Sequence, residues 1–541
     1  MGILDLSNIN FYILIVVSVL NSIMLCLASA KLFQILQQSG YKLRGYNAWL
    51  KDTKIKFVGR LVMLSFLSLI SVLVTNALLD GFGEYYSYFG LIFYVYFSIV
   101  FIINMSKIPQ KAPLKQTRRM NRLIFTTSIL VVIVSFFMMA ITTEYVSFIK
   151  YGIIVLTPLF MPIIVPFANI LNTPMEHIIR SGYIKKAKAK LKRMPNLIKI
   201  GITGSYGKTT TKHILNVMLS KKYSVCMTPH SFNTPMGLTK VVLKYLKRNN
   251  QILIAEMGAR HIGDIKYLCD LIKPKHAIIT SVASQHLLTF GSIENVAKAK
   301  GELVEAITDG YVVFNGNNIG SKKMYDECLK NKILAGVDLD GAFVNITNVK
   351  CTNTGSEFNL NVDGKSVVCS TKLLGMGNIQ DIAISAALAY KLGVELQDIA
   401  DAISTLQPIQ HRLEIINNIG GVTIIDNSYN SSVESTQTSL DVLKLFEGKK
   451  IIVTPGIVEM GEKEFDANVD FGERIAEICD EVVILNLVNK EAILQGLKNK
   501  KFDENNIITA DNLSDAKKKF PEIAGEGDVI LFENDLPDNY T

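Results

Sequence analysis

The segment GITGSYGKTTTK, residues 201–212, decides the fold of this chain. It follows the apolar run 197–200 and leads into the run HILNVMLSKKY, so the sequence predicts a glycine loop between a strand and a helix. Such a loop turns backbone N–H groups towards a bound phosphate at the positive end of the helix. Ile202 stands where the common GxxxxGK[ST] pattern has its first glycine, so a chance glycine-rich turn is the alternative. The Lys-Thr-Thr entry into the helix favours a nucleoside triphosphate site.

The side chains of this loop have distinct predicted roles. Lys208 supplies a point charge for the β- and γ-phosphates, and Thr209 offers its hydroxyl to Mg²⁺. The predicted nucleotide-binding residues of the loop and the first helical turn are Gly204, Ser205, Gly207, Lys208, Thr209 and Thr210. The predicted cofactors are therefore ATP and Mg²⁺.

The first third of the chain is too apolar for a water-soluble enzyme. The 541 residues are 49% hydrophobic with a mean hydropathy of +0.27, and the excess lies before residue 172. Several segments there are nearly uncharged and close to the ~20 residues that a helix needs to cross hydrocarbon. They are residues 11–30, 61–79, 89–105, 123–141 and 151–171. We predict five membrane helices, of which the third is the shortest and the first is retained rather than cleaved.

Basic residues set the predicted orientation of these helices. Lysines and arginines cluster at 42–60 and 107–122, between helices one and two and between helices three and four, and the other two loops are nearly free of them. The positive-inside rule then places the N-terminus outside and everything after residue 172 in the cytoplasm. The basic run 185–193 directly beyond the last helix favours anionic lipid head groups. Nucleic acid is the rival partner for such a run and is not expected, so the prediction is a multi-pass cell-membrane protein.

The cysteines lack the spacing of a zinc ribbon. The seven of them are scattered singly without a C-x-x-C pair, which excludes a zinc ribbon. In a cytoplasmic protein they are predicted to be free and mostly buried thiols.

From residue 195 onward, short β-rich runs alternate with helical runs, which predicts parallel sheets flanked by helices. The segment 333–372 breaks this rhythm with alternating polar residues and glycine turns, and predicts a β-meander appended to the first sheet. The run QPIQHR, 407–412, predicts a hinge. The predicted organisation is an α-helical transmembrane domain at 1–194, a central P-loop α/β domain at 195–405 and a second α/β domain at 406–541.

Seven motifs follow one another over about the last 345 positions. They are GITGSYGKTTTK, AEMGARHIGDI (255–265), TSVASQHLLTFGSIENVAKAKGEL (280–303), NGNNIG (315–320), the helix at 375–394, HRLE (411–414) and DNSYNSSVES (426–435). In this order they resemble the Mur ligases, most of all the MurF branch, which adds D-Ala-D-Ala to a muramyl tripeptide. The resemblance implies a central ATP-binding domain, a mobile Rossmann-like C-terminal domain and an ATP-dependent amide ligase that converts a carboxylate to an acyl phosphate.

The resemblance also implies which residues carry the chemistry. The implied catalytic residues are Lys208, Glu256, His286, Lys300 and Arg412. Thr209 and Glu256 would hold a first Mg²⁺, and His286 would help to hold a second. The alternatives are a carboxylate at a helix start for Glu256 and a loop-capping histidine for His286.

Lys300 matches the lysine that Mur ligases carbamylate to bridge the second metal. Carbamylation needs the neutral amine, and deprotonating a free lysine at pH 7.4 costs roughly 4 kcal/mol, so the site must be desolvated. Ala297, Ala299 and Gly301 are small enough to allow close approach. Lys298 and a simple solvated lysine remain alternatives.

Three further positions are implied to contact the nucleotide. Asn378 corresponds to the family's adenine-side asparagine, Arg412 to the hinge arginine that reaches the phosphates, and Asp426 to the acid that binds ribose. Two positions depart from the MurF pattern, since Gly377 replaces a histidine and Asp381 replaces a second asparagine. The adenine contacts are therefore less firmly implied than the phosphate contacts.

The acceptor side is less defined. Asn233 and Thr234 align with the family's acceptor-side loop. Mur ligases bind a nucleotide-sugar acceptor with an N-terminal soluble domain, and here the apolar helices occupy that part of the chain. The acceptor is thus predicted to be a membrane-held or nucleotide-linked cell-envelope precursor, joined to an amino acid or peptide amine. The alternative is that the helices merely anchor a ligase whose acceptor is soluble.

Two other function classes stay open. Membrane helices beside a nucleotide domain fit a transporter, although no LSGGQ-like signature is present. A ligase-derived regulatory protein that holds ATP without turnover is the other. The acidic end LFENDLPDNY (531–540) fits either a rim for a basic amine donor or a solvated tail.

Overall fold

The structure, a computed structural model, describes residues 9–52, 57–78, 86–106, 113–145, 150–285, 287–429, 432–485 and 489–533. These residues form two compact units that divide between Ser181 and Gly182. The predicted site residue His286 lies outside the described residues.

The first unit is helical. Its helices are α1 (Ile9–Ala28), α2 (Ala30–Gln38), α3 (Leu43–Asp52), α4 (Gly59–Leu78), α5 (Tyr86–Ser106), α6 (Arg118–Tyr145), a 3-10 helix (Lys150–Phe160) and the start of α7 (Met161–Lys192). Three stretches are long and apolar enough to cross a membrane, namely Phe11–Ala28, Arg118–Ile141 and Ile153–Lys192. The second and third expected spans coincide with shorter apolar helices, Gly59–Thr75 and Leu91–Met105. By length and composition, the sequence prediction is thus confirmed for three of five spans.

A polar cluster lies inside this apolar unit. The Asn21 amide donates to Ser135 Oγ at 2.9 Å and to Thr157 Oγ1 at 3.0 Å, and Tyr94 donates its hydroxyl to Asn21 Oδ1 at 2.8 Å. These side chains come from three helices and the 3-10 segment. Because unsatisfied polar groups are costly among apolar side chains, this closed network ties the four elements together.

The second unit begins with the P-loop domain, which contains a nine-stranded sheet in the order β2-β3-β1-β4-β5-β6-β7-β8-β9. Its strands are β1 (Ile198–Thr203), β2 (Val225–Met227), β3 (Ile252–Glu256), β4 (His276–Ile279), β5 (Tyr311–Asn315), β6 (Asn331–Val337), β7 (Val344–Thr352), β8 (Gly355–Val362) and β9 (Lys365–Thr371). Neighbours from β2 to β7 run parallel, and β7, β8 and β9 pair antiparallel. The predicted parallel sheet with an appended meander is confirmed.

Helices cover both faces of this sheet. They are α8 (Lys208–Leu219), α9 (Pro235–Lys240), a π-helix (Val241–Tyr245), α10 (Asp264–Ile272), α11 (Leu287–Phe290), α12 (Ile293–Glu305), α13 (Ile319–Glu327), α14 (Met376–Lys391) and α15 (Leu396–Ser404). One core lies under α8, α14 and α15, and a second lies under α10 and α12. Burial on both faces explains the nearly continuous apolar runs of β1, β3 and β4.

The last domain has a six-stranded sheet in the order β10-β11-β15-β12-β13-β14. Its strands are β10 (Glu414–Ile419), β11 (Val422–Asn427), β12 (Lys450–Thr454), β13 (Glu481–Leu485), β14 (Ile507–Ala510) and β15 (Val529–Glu533). Its helices are α16 (Val433–Leu443), α17 (Glu464–Ile478), α18 (Lys490–Asn499) and α19 (Leu513–Ile523), with two short 3-10 turns at Gly461–Lys463 and Glu504–Asn506. All pairs are parallel except β10 with β11. This is a second doubly covered α/β domain, as predicted.

Two side-chain expectations have clear outcomes. All seven cysteines are free, and Cys26 and Cys351 are the two that are only partly buried, so the prediction of free and mostly buried thiols is confirmed. The sequence predicts Glu533 either in an acidic rim or in a solvated tail. It is fully buried and accepts a hydrogen bond from Asn427 Nδ2 at 2.8 Å, so for this residue both readings are wrong.

The end of α7, from Gly182 onward, belongs to the second unit. Ile184, Ala187 and Leu191 are buried in the same core as α10 and α12. Lys190 Nζ donates to the carbonyl of Leu246 at 2.6 Å. The helix therefore supplies part of the P-loop domain's core well before residue 195.

We predict that a truncated protein beginning at Gly182 is more stable than one beginning at Asn196. Losing Ile184 and Leu191 removes about 1.5–3 kcal/mol of burial for each side chain. Urea unfolding of the two proteins should show the difference as a lower midpoint for the shorter one. Leu191→Ala in the longer protein should reproduce part of the loss, whereas Lys186→Ala, on the exposed face, should not. Equal midpoints for both truncations would contradict this packing role.

Candidate active site

The glycine loop is shaped by close contacts that a side chain would block. A Cβ on Gly204 would overlap the Thr280 hydroxyl, so this position cannot take another residue without a backbone shift. Gly207 has φ 81° and ends the loop in the left-handed region that favours glycine. Lys208 follows and folds back, donating from Nζ to the carbonyls of Gly204 at 2.6 Å and Ser205 at 2.8 Å. Burial lowers the pKa of Lys208 to about 8, against the opposite effect of Glu256.

Ser205 holds the loop in place. Its N–H donates to the carbonyl of Ser281 at 2.9 Å. Its hydroxyl lies 3.1 Å from the carbonyl of Ala283, to which it donates, and accepts from the Ala283 N–H at 3.0 Å. The N–H and the hydroxyl of Ser205 are thus engaged with the segment after β4, and the first N–H groups of α8 have no acceptor within that helix.

Glu256, the last residue of β3, is the centre of a buried polar network. It is 1% exposed, and its Oε2 accepts from Thr209 Oγ1 at 3.0 Å and from Lys212 Nζ at 2.9 Å. Its Oε1 accepts from Asn233 Nδ2 at 3.2 Å. Burial alone would raise the pKa of the Glu256 carboxyl, but the charges of Lys212 and Lys208 outweigh it and hold this pKa below its ordinary value. The network therefore contains a fixed carboxylate beside the P-loop threonine.

Lys212 was not singled out from the sequence. Its side chain is fully buried, and besides Glu256 it donates to the carbonyl of His230. The feature of the sequence that points to Lys212 is its spacing, because Lys212 lies one helical turn after Lys208 on α8. Both lysines therefore face the end of β3.

Asn233 and Thr234, the two predicted acceptor-side residues, have different hydrogen-bond partners. Asn233 joins the Glu256 network, and its backbone carbonyl accepts from the Gly258 N–H at 3.1 Å. Thr234 caps α9 by accepting from the Gly237 N–H at 3.3 Å. Asn233 is therefore beside the site, and the hydroxyl of Thr234 has a structural partner.

Lys300 lies on the inner face of α12, a helix capped by Ser292, whose hydroxyl accepts from the Asn295 N–H at 3.3 Å. The side chain is 4% exposed, whereas Lys298 two residues earlier is exposed. Burial, helped by the nearby charge of Lys208, lowers the pKa of Lys300 well below its ordinary value. Of the two lysines weighed from the sequence, the buried and electrostatically coupled one is Lys300.

Arg412 reaches the P-loop from the hinge. Its Nη2 donates to Thr209 Oγ1 at 3.3 Å, and its guanidinium lies 4.5 Å from the centre of the Tyr429 ring. The flanking residues His411 and Leu413 have φ of 62° and 49°, a conformation that side chains disfavour. The unusual backbone of the hinge therefore directs this guanidinium towards α8.

Asp426 and Asn378 have partners of their own. The Asp426 carboxylate accepts from the Ser428 N–H at 2.9 Å, and its Oδ2 lies 2.7 Å from His411 Nδ1. The amide of Asn378 donates to the carbonyl of Leu374 at 2.7 Å. With Glu414, the His411 and Asp426 side chains offer ligand atoms within 4.8 Å of one another. The backbone N–H of His411 also donates to Glu414 Oε2, in β10, at 3.1 Å. The contacts of His411 with Glu414 and Asp426 therefore fasten the hinge to β10 and β11.

Asp381, a departure from the family pattern, is buried against the P-loop. It is 6% exposed on α14, and its Oδ1 accepts from Thr211 Oγ1 at 3.0 Å. The same oxygen would lie 2.7 Å from a Cβ on Gly207. Burial raises the pKa of the Asp381 carboxyl to about 8, although Thr211, Arg412 and Lys208 oppose the shift. A largely uncharged acid therefore supports the loop at neutral pH.

Comparison with known proteins identifies the family of the two α/β domains. Residues 202–389 match the Mur ligase middle domain, and residues 411–533 match the Mur ligase, glutamate ligase domain. The UDP-N-acetylmuramoyl-tripeptide--D-alanyl-D-alanine ligase of Bacillus subtilis is 28% identical over 351 residues, which are 64% of this chain and 75% of the relative.

Solved structures of Mur ligases are also similar to this chain. MurF from Thermotoga maritima, in complex with ADP, is 27% identical with a TM-score of 0.58 over 66% of this chain and 80% of that one. MurF from Acinetobacter baumannii has a TM-score of 0.60 at 24% identity over 66% of this chain and 77% of its own, which is a likeness of fold. The two matched ranges cover the two sheets described above, apart from the first residues of β1.

We predict that Asp381→Asn raises stability at pH 8 and changes it little near pH 4. The ordinary pKa is 3.8 and the folded-state pKa is about 8, so folding takes up a proton between these values. Asp381 therefore lowers stability as pH rises through this window, by at most about 1.4 kcal/mol per pKa unit. Asparagine keeps the acceptor for Thr211 without the charge.

The measurement is urea unfolding of both proteins at several pH values. Asp441→Asn, at a side chain that is 67% exposed, serves as the control for removing an exposed carboxylate. A pH-independent difference for Asp381→Asn would show that this carboxyl is already ionised in the folded protein at neutral pH.

Proposed function

We propose that this chain, which belongs to the Mur ligase family and is an ATP-dependent amide ligase of cell-wall precursor synthesis, activates an acceptor carboxylate at the Thr209–Glu256 end of the P-loop. There the γ-phosphoryl of ATP passes to the carboxylate, and an amine displaces phosphate from the resulting acyl phosphate to form the amide. The observation that carries this proposal is the convergence of Glu256, Arg412 and the P-loop on one hydroxyl, that of Thr209.

Mg²⁺ fits the donor set beside the loop. An ionised carboxylate and a hydroxyl 3.0 Å apart are the hard oxygen ligands that this ion prefers. Thr209 and Glu256 would hold one ion, and His286 would help to hold a second. Bound there, Mg²⁺ neutralises the charge of the triphosphate as it meets an anionic acceptor.

Cationic side chains of the protein also stabilise the negative charge of the triphosphate. Lys208 and the first-turn N–H groups of α8 bind the β- and γ-phosphates, with Gly204, Gly207 and Thr210 shaping the cradle. Arg412 adds a second fixed cation when the hinge brings the C-terminal domain to the P-loop. Lys212 stays paired with Glu256 and holds it ionised. Positioned charges of this kind supply most of the rate enhancement in phosphoryl transfer.

On the nucleoside side, we assign Asn378 to the adenine and Asp426 to the ribose. Their present partners, a backbone carbonyl and the hinge histidine, are contacts that a ligand can exchange for its own hydrogen bonds. Asn233 is assigned to the acceptor side because it already lies against the Glu256 carboxylate.

We further propose that Lys300 is carbamylated. Its neutral ε-amine would add to carbon dioxide, forming an N–C bond and releasing one proton, and the new carboxylate would serve as a ligand to the second metal ion. The support is its burial, its lowered pKa and its electrostatic coupling to Lys208.

We predict that Lys300→Ala is inactive and that acetate or formate restores part of its activity. The expected loss is at least about a hundredfold, because a preorganised charge is removed from the reacting centre. The measurement is phosphate release that depends on both acceptor and amine. Lys298→Ala is the matched control and should keep normal turnover. A mass spectrum showing a bare amine at Lys300 in active, metal-loaded enzyme would contradict the carbamate.

For the acceptor, we propose a lipid-linked muramyl peptide or a related precursor held at the inner face of the cell membrane. The family match begins at residue 202, and the described residues before it include the apolar helices. The basic run that ends α7 suits an anionic membrane surface. Confinement of enzyme and acceptor to one surface raises their effective concentration.

We predict that the full-length protein in bilayers ligates the lipid-linked acceptor at least about tenfold faster than the protein truncated before Gly182. Phosphate release and product formation are measured with lipid-linked and UDP-linked acceptors. If both proteins ligate the UDP-linked peptide at equal rates and neither ligates the lipid-linked acceptor, the helices serve only as an anchor. Phosphate release without an acceptor would favour a transporter, and no release at all a regulatory protein.

A further inference from the structure

Two helices of the first unit face each other with polar side chains in matching register. The spacing of three and four residues puts each set on one helix face, on α6 and on α7. We call this set the polar seam, and it consists of Arg119, Arg122, Thr126, Asn169, Asn172 and Glu176.

Direct hydrogen bonds cross the seam. Arg122 Nε donates to Glu176 Oε1 at 2.6 Å, and Thr126 donates to Asn172 Oδ1 at 2.9 Å. Arg119 Nε lies 3.9 Å from Glu176 Oε2. The seam is therefore a built polar layer between two otherwise apolar helices.

Arg119 is held in a defined direction. Its guanidinium lies 3.7 Å from the centre of the Tyr41 ring. The carbonyl of Tyr41 in turn accepts from Asn169 Nδ2 at 3.2 Å. Stacking on an aromatic face orients a guanidinium but leaves its in-plane N–H groups available for an anion.

The seam ends in a buried donor without a partner. Asn172 is 7% exposed, and its Nδ2 makes no hydrogen bond within the described residues. Leaving a buried donor unsatisfied is costly, and each such group in a folded protein calls for a ligand or another explanation. The unpaired group lies on the face of α7 that meets Arg122 and Thr126.

Positive charge is also in excess. Arg180 adds its charge to that of the two seam arginines, and among the described residues Glu176 is the carboxylate paired with Arg119 and Arg122. Arginines in the first turn of α6 oppose the helix dipole, which favours anions at that end. Donors and positive charge thus both select an anionic acceptor group such as phosphate.

Apolar side chains beside the seam indicate a lipid rather than a free ion. Phe125 and Ile129 on α6, and Met175 and Ile178 on α7, are all exposed. They flank the polar layer on helices that are long and apolar enough to cross a membrane. A headgroup in the seam would therefore have an apolar surface for its tail.

We propose that the polar seam binds the phosphate headgroup of a membrane lipid. Arg119 and the Asn172 amide are its donors, and Arg122, kept in place by Glu176, adds charge. The lipid is the phosphate-linked carrier of the acceptor, and this last step rests on the proposed function. Lipid binding itself does not require ligation, so the two can be tested separately.

The experiment uses the full-length protein in phosphatidylcholine bilayers that contain either a polyprenyl phosphate or phosphatidylglycerol. Retained lipid is measured by native mass spectrometry after extraction, with free inorganic phosphate as a competitor. Arg119→Gln should lower polyprenyl phosphate retention about tenfold, as expected for loss of a charge-assisted hydrogen bond. Arg118→Gln, the exposed neighbour with the same charge on the same helix, should keep it.

Asn172→Leu is the second variant and should also lower retention, which keeps the test usable if Arg119→Gln does not fold. Equal retention by Arg118→Gln and Arg119→Gln, or displacement of the lipid by free phosphate, would overturn the lipid site. Retention of phosphatidylglycerol alone would overturn the assignment to the acceptor carrier. Seam-dependent lipid retention without ligation of the lipid-linked acceptor would support the site and count against the proposed function.

Discussion

The buried ion pair between Glu256 and Lys212 is the interaction on which the nucleotide end of the molecule depends. The two charges are 2.9 Å apart, and both side chains are at most 1% exposed. Removing either side chain alone would leave the other charge buried and unpaired, which destabilises a protein by about 3–5 kcal/mol. The pair therefore keeps a carboxylate ionised and fixed beside Thr209. Through Asn233 and the carbonyl of His230, it also ties the loop after β2 to the P-loop helix.

Close packing around the P-loop adds a second constraint. Gly204 lies against Thr280, and Gly207 lies against the Asp381 carboxyl, so the loop has one conformation to adopt. Arg412 completes this end from a hinge whose residues His411 and Leu413 have positive φ. Such a backbone persists only where its surroundings hold it, and here the Asp426 carboxylate contributes through its contact with His411. The hinge geometry is thus coupled to the nucleoside side of the site.

The helical unit uses polar groups in two different ways. Around Asn21, donors and acceptors satisfy one another, which fastens helices where apolar contact alone gives little specificity. In the polar seam, Arg119 and Asn172 retain hydrogen-bonding capacity, and the charge is unbalanced. The first arrangement is complete by itself, and the second is a receptor for an anion. This difference separates a structural polar core from a binding site in the same unit.

The sequence alone determined the features that depend on local order. These were the strand–loop–helix at residues 201–212, the alternation of strands and helices, the apolar segments and the family motifs, since periodicity and spacing are properties of the chain itself. Tertiary structure decided what depends on burial and long-range contact. It distinguished Lys300 from Lys298, revealed Lys212 and Asp381, engaged Ser205 and Thr234 in structural bonds and buried Glu533. The reason is physical, because the environment of a side chain is set by residues far away in sequence, as Lys212 and Glu256 show.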